Sequence, residues 1–561
     1  MTHVFTRRRL LRYGALGGAA LVLPLRPAQP GHAAVVTTPG LKKYVEPLPI
    51  PPVIDARSGG AFSLGAGEAT THRFHRQLGP AKTWGYGGAP YLGPTFEVRK
   101  DVPVTVSWSN NLPAGQFLPV DLTIPGATLG PSPVVMHLHG GFTLPQFDGH
   151  PQQWFTNGGA TGPHYVTRSF VYGNQQRATM LWYHDHALGN TRLNVYAGLA
   201  GVYFVRDELD TGKPDNPLGL PVGTYEIPLV LQDKTFNADG TLFYANRGIT
   251  TAHPVWVPEF FGDTPVVNGK AYPFVDVEPR RYRLRVVNGS QARFYDLKFV
   301  TQQGNVTVPF HVIGAEGGFL RAPVATEKFL LAPGERVDVV VDFGPLRGEN
   351  VLLTSSAPAP YPSGRGGDIG ALMRFDVVRA LNGIDATTPP SELALPSLPS
   401  LPAPSVTRSL HLREILDAEG EPVMLEVEDL TFMDPVVTKP VLGATEDWLL
   451  INTTADTHPI HLHLVHFEVV DRRPFNAAAY LGGGGVHYTG PAVRAPAVEN
   501  GLKDTVKAHP GEVTRIRAKF DLPSYGKVRL PRGLTNPQYV WHCHILEHEE
   551  NDMMRPFEVV R

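Results

Sequence analysis

The single cysteine of the chain, Cys543, lies between His542 and His544, and His548 and Met553 follow it by five and ten residues. A thiolate, two imidazoles and a weak axial thioether form the trigonal site that is typical of blue-copper electron transfer. This segment supplies Cys543, His548 and Met553 to such a site, so one more histidine has to come from elsewhere. The residue types therefore predict a copper site.

The strand expected around Cys543 sends neighbouring side chains in opposite directions. Residues 539–541 (Tyr-Val-Trp) are typical of a β-strand, in which successive side chains point to opposite faces. If the strand continues, His542 and His544 share one face and Cys543 lies on the other. One short peptide then serves two metal centres.

Histidines two residues apart recur along the chain. With 22 histidines in 561 residues, random placement gives roughly one His-x-His pair. The chain has four, which are His137/His139, His184/His186, His461/His463 and His542/His544. In a strand each pair presents two imidazoles to one point, and eight imidazoles exceed the four ligands of a zinc ion. The pairs predict a metal cluster between the first and last parts of the chain, with the middle part as a spacer.

His458 is the candidate for the ligand that the cysteine site lacks. It lies outside the alternation of His461 and His463, and the following Pro459 favours a bend. The His458 side chain can therefore point to a different metal from that of its neighbours.

Composition limits the class of protein. At 561 residues the chain is long enough for several domains. Charged residues make up 18%, and the 54 prolines and 58 glycines disfavour a helix-rich fold. The net charge of -2 gives no electrostatic case for binding nucleic acid or an anionic membrane. One cysteine excludes an intrachain disulfide.

The elements that must position these residues are short strands. Runs rich in β-branched residues alternate with Gly, Pro and Asn turns, which predicts an all-β chain of sandwiches or barrels. Composition changes place domains at residues 45–207, 220–380 and 406–561, with a Pro-rich linker over 381–405. Residues 331–338 and 507–515 share a Pro-Gly-Glu turn before a strand. This weak repeat is consistent with three similar domains.

Residues 1–34 have the features of a twin-arginine signal peptide. Three consecutive arginines from Arg7 to Arg9 precede an apolar run from Tyr13 to Leu25, which is shorter than the ~20 residues that span a bilayer. Small residues up to Ala34 provide a cleavage point. We expect export by the twin-arginine machinery to the periplasm, cell envelope or medium, with no membrane span.

The histidine and cysteine motifs resemble the four copper motifs of the multicopper oxidases. The matching segments are His137-Leu-His139-Gly, Trp182-Tyr-His184-Asp-His186, His458-Pro-Ile-His461-Leu-His463 and His542-Cys543-His544-Ile-Leu-Glu-His548. Residues 191–199, 471–475 and 548–556 resemble the branch of bacterial spore-coat laccases and bilirubin oxidases most closely. The likeness extends over nearly the whole mature chain. It implies three consecutive cupredoxin-like Greek-key β-barrel domains.

The same resemblance implies four copper ions. A type 1 copper would be held by His458, Cys543 and His548, with Met553 axial, and a type 2 copper by His137 and His461. The type 3 pair would take six further ligands, which are His139, His184, His186, His463, His542 and His544.

The resemblance also implies an activity. Phenols, aromatic amines or bilirubin-like donors would be oxidised one electron at a time at the type 1 copper, in contact with an exposed edge of His548 or His458. O2 would be reduced to two waters at the trinuclear cluster, with protons from Asp148 and Glu549. Asp148 is equally interpreted as a turn residue before Gly149.

Three alternatives remain open. A metallo-oxidase of Cu(I) or Mn(II) is disfavoured because the eight methionines are dispersed, whereas copper-oxidising relatives tend to have a methionine-rich insert. A phenoxazinone-forming oxidase falls within the class that uses organic donors. A non-enzymatic exported cupredoxin scaffold is disfavoured by the complete ligand set.

Overall fold

The computed structural model describes residues 36–365 and 369–561, so the predicted signal peptide lies outside the described residues. In these ranges α-helix is confined to three short segments, α1 (Thr191–Ala197), α2 (Ala477–Ala479) and α3 (Leu546–Glu550). Strands dominate, which confirms the predicted all-β class. None of the helices in the described ranges is long and apolar enough to cross a membrane.

The first nine strands form two sheets. They are β1 (Val53–Ala56), β2 (Gly60–His72), β3 (Ala81–Tyr86), β4 (Thr95–Arg99), β5 (Val104–Asn111), β6 (Met136–His139), β7 (Ser169–Tyr172), β8 (Thr179–Asp185) and β9 (Ala200–Arg206). The orders are β1-β4-β9-β8-β6 and β3-β2-β5-β7. Strands β8 and β9 are buried along their whole length, because one sheet face packs on the other sheet and the second face on the rest of the protein.

The next fourteen strands form a second pair of sheets. They are β10 (Glu226–Phe236), β11 (Leu242–Phe243), β12 (Thr264–Val267), β13 (Lys270–Ala271), β14 (Phe274–Asp276), β15 (Arg281–Asn288), β16 (Tyr295–Thr301), β17 (Thr307–Val308), β18 (Phe310–Ala315), β19 (Gly318–Thr326), β20 (Phe329–Leu331), β21 (Arg336–Asp342), β22 (Asn350–Ser355) and β23 (Gly370–Asp376). The main orders are β13-β12-β10-β15-β21-β18-β19 and β14-β23-β22-β16-β17.

The last eleven strands form a third pair. They are β24 (Val406–Leu416), β25 (Pro422–Val427), β26 (Thr445–Asn452), β27 (His458–Leu462), β28 (Phe467–Pro474), β29 (Val493–Arg494), β30 (Leu502–Lys503), β31 (Thr505–Ala508), β32 (Glu512–Lys519), β33 (Gln538–Cys543) and β34 (Met554–Glu558). The orders are β25-β24-β26-β32-β28-β29 and β31-β27-β33-β34. The strands thus fall into three groups along the chain, while the limits proposed for the domains stay a prediction.

Strand β33 carries the cysteine through the core of the third group. All six of its residues are buried, and it lies between β27 and β34. Cys543 packs in the same apolar cluster as Ile460, Trp541 and Met553. This surrounding core fixes the direction of each side chain on β33, and therefore the positions of its histidine and cysteine.

Candidate metal centre

Three side chains form a trigonal donor set around Cys543. The sulfur lies 3.6 Å from Nδ1 of His458 and 3.7 Å from Nδ1 of His548, and the two nitrogens are 3.3 Å apart. Nitrogen and sulfur donors at about 2.0–2.3 Å from a metal, spread in a plane, are separated by about 3.5–3.7 Å. The set therefore fits a trigonal His₂Cys copper site.

Neighbouring groups orient this set. Nε2 of His458 hydrogen-bonds the hydroxyl of Thr454 at 2.7 Å, which leaves Nδ1 to face Cys543. The backbone N–H of Ile545 donates to the Cys543 sulfur at 3.4 Å. Met553 is fully buried, and its carbonyl accepts a hydrogen bond from the Cys543 backbone. The sequence therefore brings all four proposed type 1 residues to one buried region.

The four His-x-His pairs lie on, or extend one residue beyond, the strands of two antiparallel pairs. His137 on β6 pairs in register with His184 on β8, and His461 on β27 pairs with His542 on β33. The two strand pairs face each other so closely that imidazoles stack across the interface. His137 stacks on His463 with ring centroids 3.8 Å apart. The cluster expected between the first and last parts of the chain is present.

The eight imidazoles divide into groups that could each hold a metal ion. In each group one donor atom per residue lies within 4.8 Å of the others. The groups of three are His139, His184 and His544; His186, His463 and His542; and His137, His139 and His461. In the last group the Nε2 atoms of His137 and His461 are 3.4 Å apart. The first two groups together make up the proposed type 3 set, and the third joins His139 of that set to the proposed type 2 ligands His137 and His461.

Backbone carbonyls determine which nitrogen several imidazoles offer. Nδ1 of His137 donates to the carbonyl of Asp148 at 2.6 Å, Nδ1 of His461 to that of Asp504 at 2.9 Å, and Nδ1 of His184 to that of Asp185 at 2.8 Å. Each Nε2 atom is therefore left unprotonated toward the cluster.

The imidazoles are held neutral in a buried site. Burial lowers the pKa of His184 to about 3 and that of His461 to about 4. Five nitrogens of this cluster are buried without a hydrogen-bond partner among the described residues, namely Nδ1 of His139, Nε2 of His184, Nδ1 of His186 and both ring nitrogens of His544. Since a buried polar atom normally has a partner, these neutral donors fit bound copper ions.

The two proposed proton-relay acids both touch the cluster. Oδ2 of Asp148 lies 2.8 Å from Nδ1 of His463, and burial raises the pKa of Asp148 to about 8. Glu549 lies on α3, with its carboxylate oxygens 3.1 Å from Nδ1 of His542 and 3.4 Å from Nδ1 of His186. Both acids are therefore able to exchange a proton next to a cluster imidazole.

Sequence reasoning missed Asp504 and Arg336. Oδ1 of Asp504 accepts a hydrogen bond from Nε2 of His139 at 3.1 Å, and Arg336 binds the same carboxylate through two nitrogens at 2.8 and 2.6 Å. Both residues are fully buried. Neither has the pair spacing that marks the histidines, and the only sequence signal was the turn of residues 331–338.

The expectation that a type 1 histidine has an exposed edge is wrong. His458 is 0% and His548 1% exposed, because the core of the third strand group and the segment around Thr454 cover them. The carboxyl group of Glu414 borders the His458 imidazole, with Oε1 of Glu414 4.0 Å from Nε2 of His458. Protein atoms therefore separate both imidazoles from the solvent.

The chain is all-β and has three double-sheet units. A His₂Cys donor set is joined by one peptide to a cluster of eight imidazoles, which is the architecture of a copper-binding oxidase. The family model described as multicopper oxidase matches residues 411–561. A laccase of Bacillus subtilis (strain 168) is 43% identical over 92% of this chain and 99% of its own length. A laccase of Haloferax volcanii is 37% identical over 99% of this chain and 91% of its own.

Solved structures agree with these sequence relatives. The McoA multicopper oxidase of the hyperthermophile Aquifex aeolicus superposes with a TM-score of 0.73 at 26% identity, covering 93% of this chain and 100% of that one. The chain belongs to the multicopper oxidases, and it is a laccase-like, copper-binding enzyme of this family. The predicted architecture of three cupredoxin-like domains is confirmed.

Proposed function

We propose that the chain binds four copper ions and couples four one-electron oxidations of a small aromatic donor to the reduction of O2 to two waters. Phenols, aromatic amines and bilirubin-like compounds are the proposed donors. The trigonal donor set with edges of 3.3–3.7 Å, next to an eight-imidazole cluster, is the observation that supports this function. When bound, copper supplies one-electron transfer at the first site and O2 reduction at the second.

The proposed ligands follow the groups described above. The type 1 set is His458, Cys543 and His548 with Met553, the type 2 set is His137 and His461, and the type 3 set is His139, His184, His186, His463, His542 and His544. The type 3 set divides into two groups of three, one for each ion of the pair.

Strand β33 joins the two sites by a covalent connection. Cys543 contributes its sulfur to one site, and its two neighbours in the chain contribute imidazoles to the other. Nδ1 of His542 also donates a hydrogen bond to the Cys543 carbonyl at 3.0 Å, which fixes the His542 ring relative to the cysteine backbone. Few bonds therefore separate the site that accepts electrons from the site that uses them.

Two acids supply protons on different sides of the cluster in this proposal. Asp148 holds a proton at Oδ1 or Oδ2, where the Thr143 hydroxyl and Nδ1 of His463 are its neighbours at 3.1 and 2.8 Å. Glu549 faces His186 and His542. Because O2 reduction consumes four protons, fixed acids beside the imidazoles shorten the path from solvent.

Residues 45–207, 220–380 and 406–561 are proposed to be the domains, with a linker over 381–405. Residues 1–34 are proposed to direct export by the twin-arginine pathway. Cleavage and secretion of a tagged precursor would test this proposed export. Replacing Arg7 and Arg8 by lysine should retain the precursor inside the cell, and continued secretion would contradict it.

Purified protein tests the enzymatic proposal. We expect four coppers per chain, strong blue absorption, and consumption of one O2 for every four phenol molecules oxidised to radicals. A copper-reconstituted protein that remains colourless would exclude the type 1 site. A blue protein that takes up no O2 with any phenol, aromatic amine or bilirubin would exclude the proposed donors.

One observation favours a second candidate, a metallo-oxidase of Mn(II). Oε1 of Glu414 lies 4.0 Å from Nε2 of His458, and the carboxyl groups of Glu259 and Asp456 are close enough to Glu414 to raise one another's pKa. Burial raises the pKa of Glu414 to about 8 and that of Asp456 to about 6. Carboxylates suit Mn(II), whereas Cu(I) prefers thioethers. A cation next to these groups would favour their ionised forms.

Turnover of Mn(II), Cu(I), aminophenol, phenol and bilirubin, measured side by side, separates the two candidates. If Mn(II) is the donor, Glu414→Gln should raise its KM at least tenfold and leave phenol oxidation unchanged. Equal losses for Mn(II) and phenol would show that Glu414 only supports His458. Oxidation of aminophenol to a phenoxazinone would identify that subclass of organic donors.

A further inference from the structure

The turn at residues 331–336 of the middle strand group lies directly against the cluster. Gly334 has a φ of +81°, and a Cβ atom there would lie 2.8 Å from Cδ2 of His544 and 3.1 Å from Cε1 of His139. Both the left-handed backbone and the close approach require glycine. The middle group is therefore part of the cluster wall, and the expectation that it is only a spacer is wrong.

Arg336 extends from this turn to Asp504 of the third group. Its Nη1 and Nη2 atoms donate to Oδ1 and Oδ2 of Asp504 at 2.8 and 2.6 Å. Nε donates to the carbonyl of Met180 at 3.2 Å, and Nη1 also to that of Gly334 at 3.1 Å. The side chain is 1% exposed. A forked pair of this kind fixes both the charge and the orientation of the carboxylate.

Asp504 in turn determines the orientation of two imidazoles from different parts of the chain. Both Asp504 oxygens accept hydrogen bonds from Arg336, and Oδ1 also accepts from the Thr505 hydroxyl at 2.9 Å. Nε2 of His139 lies 3.1 Å from Oδ1 and 3.0 Å from the Thr505 oxygen, so it is placed to donate to these two acceptors. Nδ1 of His139 is then the atom with a free lone pair, and it has no partner among the described residues. The backbone carbonyl of Asp504 accepts from Nδ1 of His461, which offers Nε2 instead.

We propose that Arg336 is a positioning residue of the trinuclear site, which holds the Asp504 carboxylate in place so that His139 offers Nδ1 and His461 offers Nε2. This inference rests on the proposed copper cluster. Each strand group then contributes to one assembly: His139 from the first, Arg336 from the second, and Asp504 with His461 from the third.

The Pro-Gly-Glu turn of the middle group is held against the segment of the third group that carries Asp504. Glu335, from the turn of the middle group, receives two hydrogen bonds at 2.6 and 2.8 Å from Nζ of Lys507, which begins the corresponding segment of the third group. Nζ of Lys503 lies 3.2 Å from the same carboxylate and binds Glu316 at 2.7 Å. These buried pairs lock the turn against the segment that carries Asp504.

Two variants test the role of Arg336. Arg336→Lys keeps the positive charge but loses the fork, and Asp504→Asn keeps the size of the side chain but loses its charge. The control is Arg206→Lys, because Arg206 is also buried and binds Glu226 through two nitrogens at 3.0 and 2.7 Å. For each protein we would measure the blue absorption, the electron paramagnetic resonance signal of type 2 copper, and copper retention against a chelator.

Loss of a group that orients a ligand typically weakens metal binding 10–100-fold. We therefore expect both variants to keep full blue absorption, to show an altered type 2 signal, and to lose cluster copper at about 10–100-fold lower chelator concentration. Arg206→Lys should change only the melting temperature. The inference would be overturned if both variants retained copper and the type 2 signal as the wild type does. It would also be overturned if they lost type 1 copper in parallel with cluster copper. A wild-type protein without a type 2 signal would instead refute the proposed cluster.

Discussion

Replacing Glu549 by glutamine should slow O2 reduction without changing electron uptake from the donor. The Glu549 side chain is buried, and its oxygens lie 3.1 and 3.4 Å from Nδ1 of His542 and His186. Glutamine fills the same volume but cannot deliver a proton. The change therefore removes one acid from the cluster and leaves the trigonal site around Cys543 as it is.

The expected loss follows from the number of acids present. A positioned acid contributes about 10²–10⁴-fold to a rate. Asp148, 2.8 Å from His463, remains as a second source of protons in the variant. We therefore expect the lower end of the range, about 100-fold, which corresponds to about 2.7 kcal/mol of activation free energy.

Measuring the two half-reactions separately distinguishes slower O2 reduction from slower electron uptake. Bleaching of the blue band by an excess of phenol without O2 should occur at the wild-type rate. Return of the band after mixing with O2 should be about 100-fold slower. Glu547→Gln is the matched control, since Glu547 lies on the same helix and is equally buried but binds the hydroxyl of Tyr244. Recovery at the wild-type rate in Glu549→Gln would refute the reasoning, and so would slow bleaching.

Further outcomes follow from the site and its surroundings. Cys543→Ser should abolish the blue absorption and reduce phenol oxidation to background while cluster copper, measured by metal analysis, stays bound. Removing copper should lower the melting temperature. In the copper-free chain, burial lowers the pKa of His184 to about 3 and that of His461 to about 4. Above these values only the unfolded chain takes up protons, so the stability of the copper-free chain should fall further as the pH drops from 6.5 toward 4. Burial lowers the pKa of Lys234 from 10.5 to about 7. Between pH 7 and pH 10.5 only the unfolded chain keeps this proton, so the stability of the wild type should rise with pH relative to that of Lys234→Met. The rise is about 5 kcal/mol if the whole shift is expressed. Parallel melting curves across that range would contradict this.

The strand content was predictable, whereas the strand pairing was not. Short β-branched runs between turn residues are a local signal, and they predict the all-β class. Pairing joins segments that are distant in the sequence, as in the parallel pairing of β2 with β5. Strands β8 and β9 are buried on both faces, so they lack the alternation that would show which face meets the core.

The ligands were predictable because their chemistry is tied to spacing. Two histidines separated by one residue share a face of a strand, and a cysteine between two such histidines faces the other way. Asp504 and Arg336 have no such relation, since they are 168 residues apart and meet only in the folded protein. The burial of His458 and His548 is equally a result of packing, because the residues that cover them come from separate segments.

The division of the imidazoles between β6/β8 and β27/β33 makes copper a cross-link in a chain that has no disulfide. His137 and His461, whose Nε2 atoms are 3.4 Å apart, are separated by 324 residues. Closing a loop of 100 residues with a covalent bond stabilises a protein by about 4.7 kcal/mol in the chain-entropy description, and the value grows only slowly with length. A metal ion shared by these two histidines differs in that it binds only the folded chain, so it would stabilise the fold through its binding free energy. A chain cut before β27 would keep four of the eight cluster imidazoles and none of the donors around Cys543, so copper would distinguish complete molecules from truncated ones.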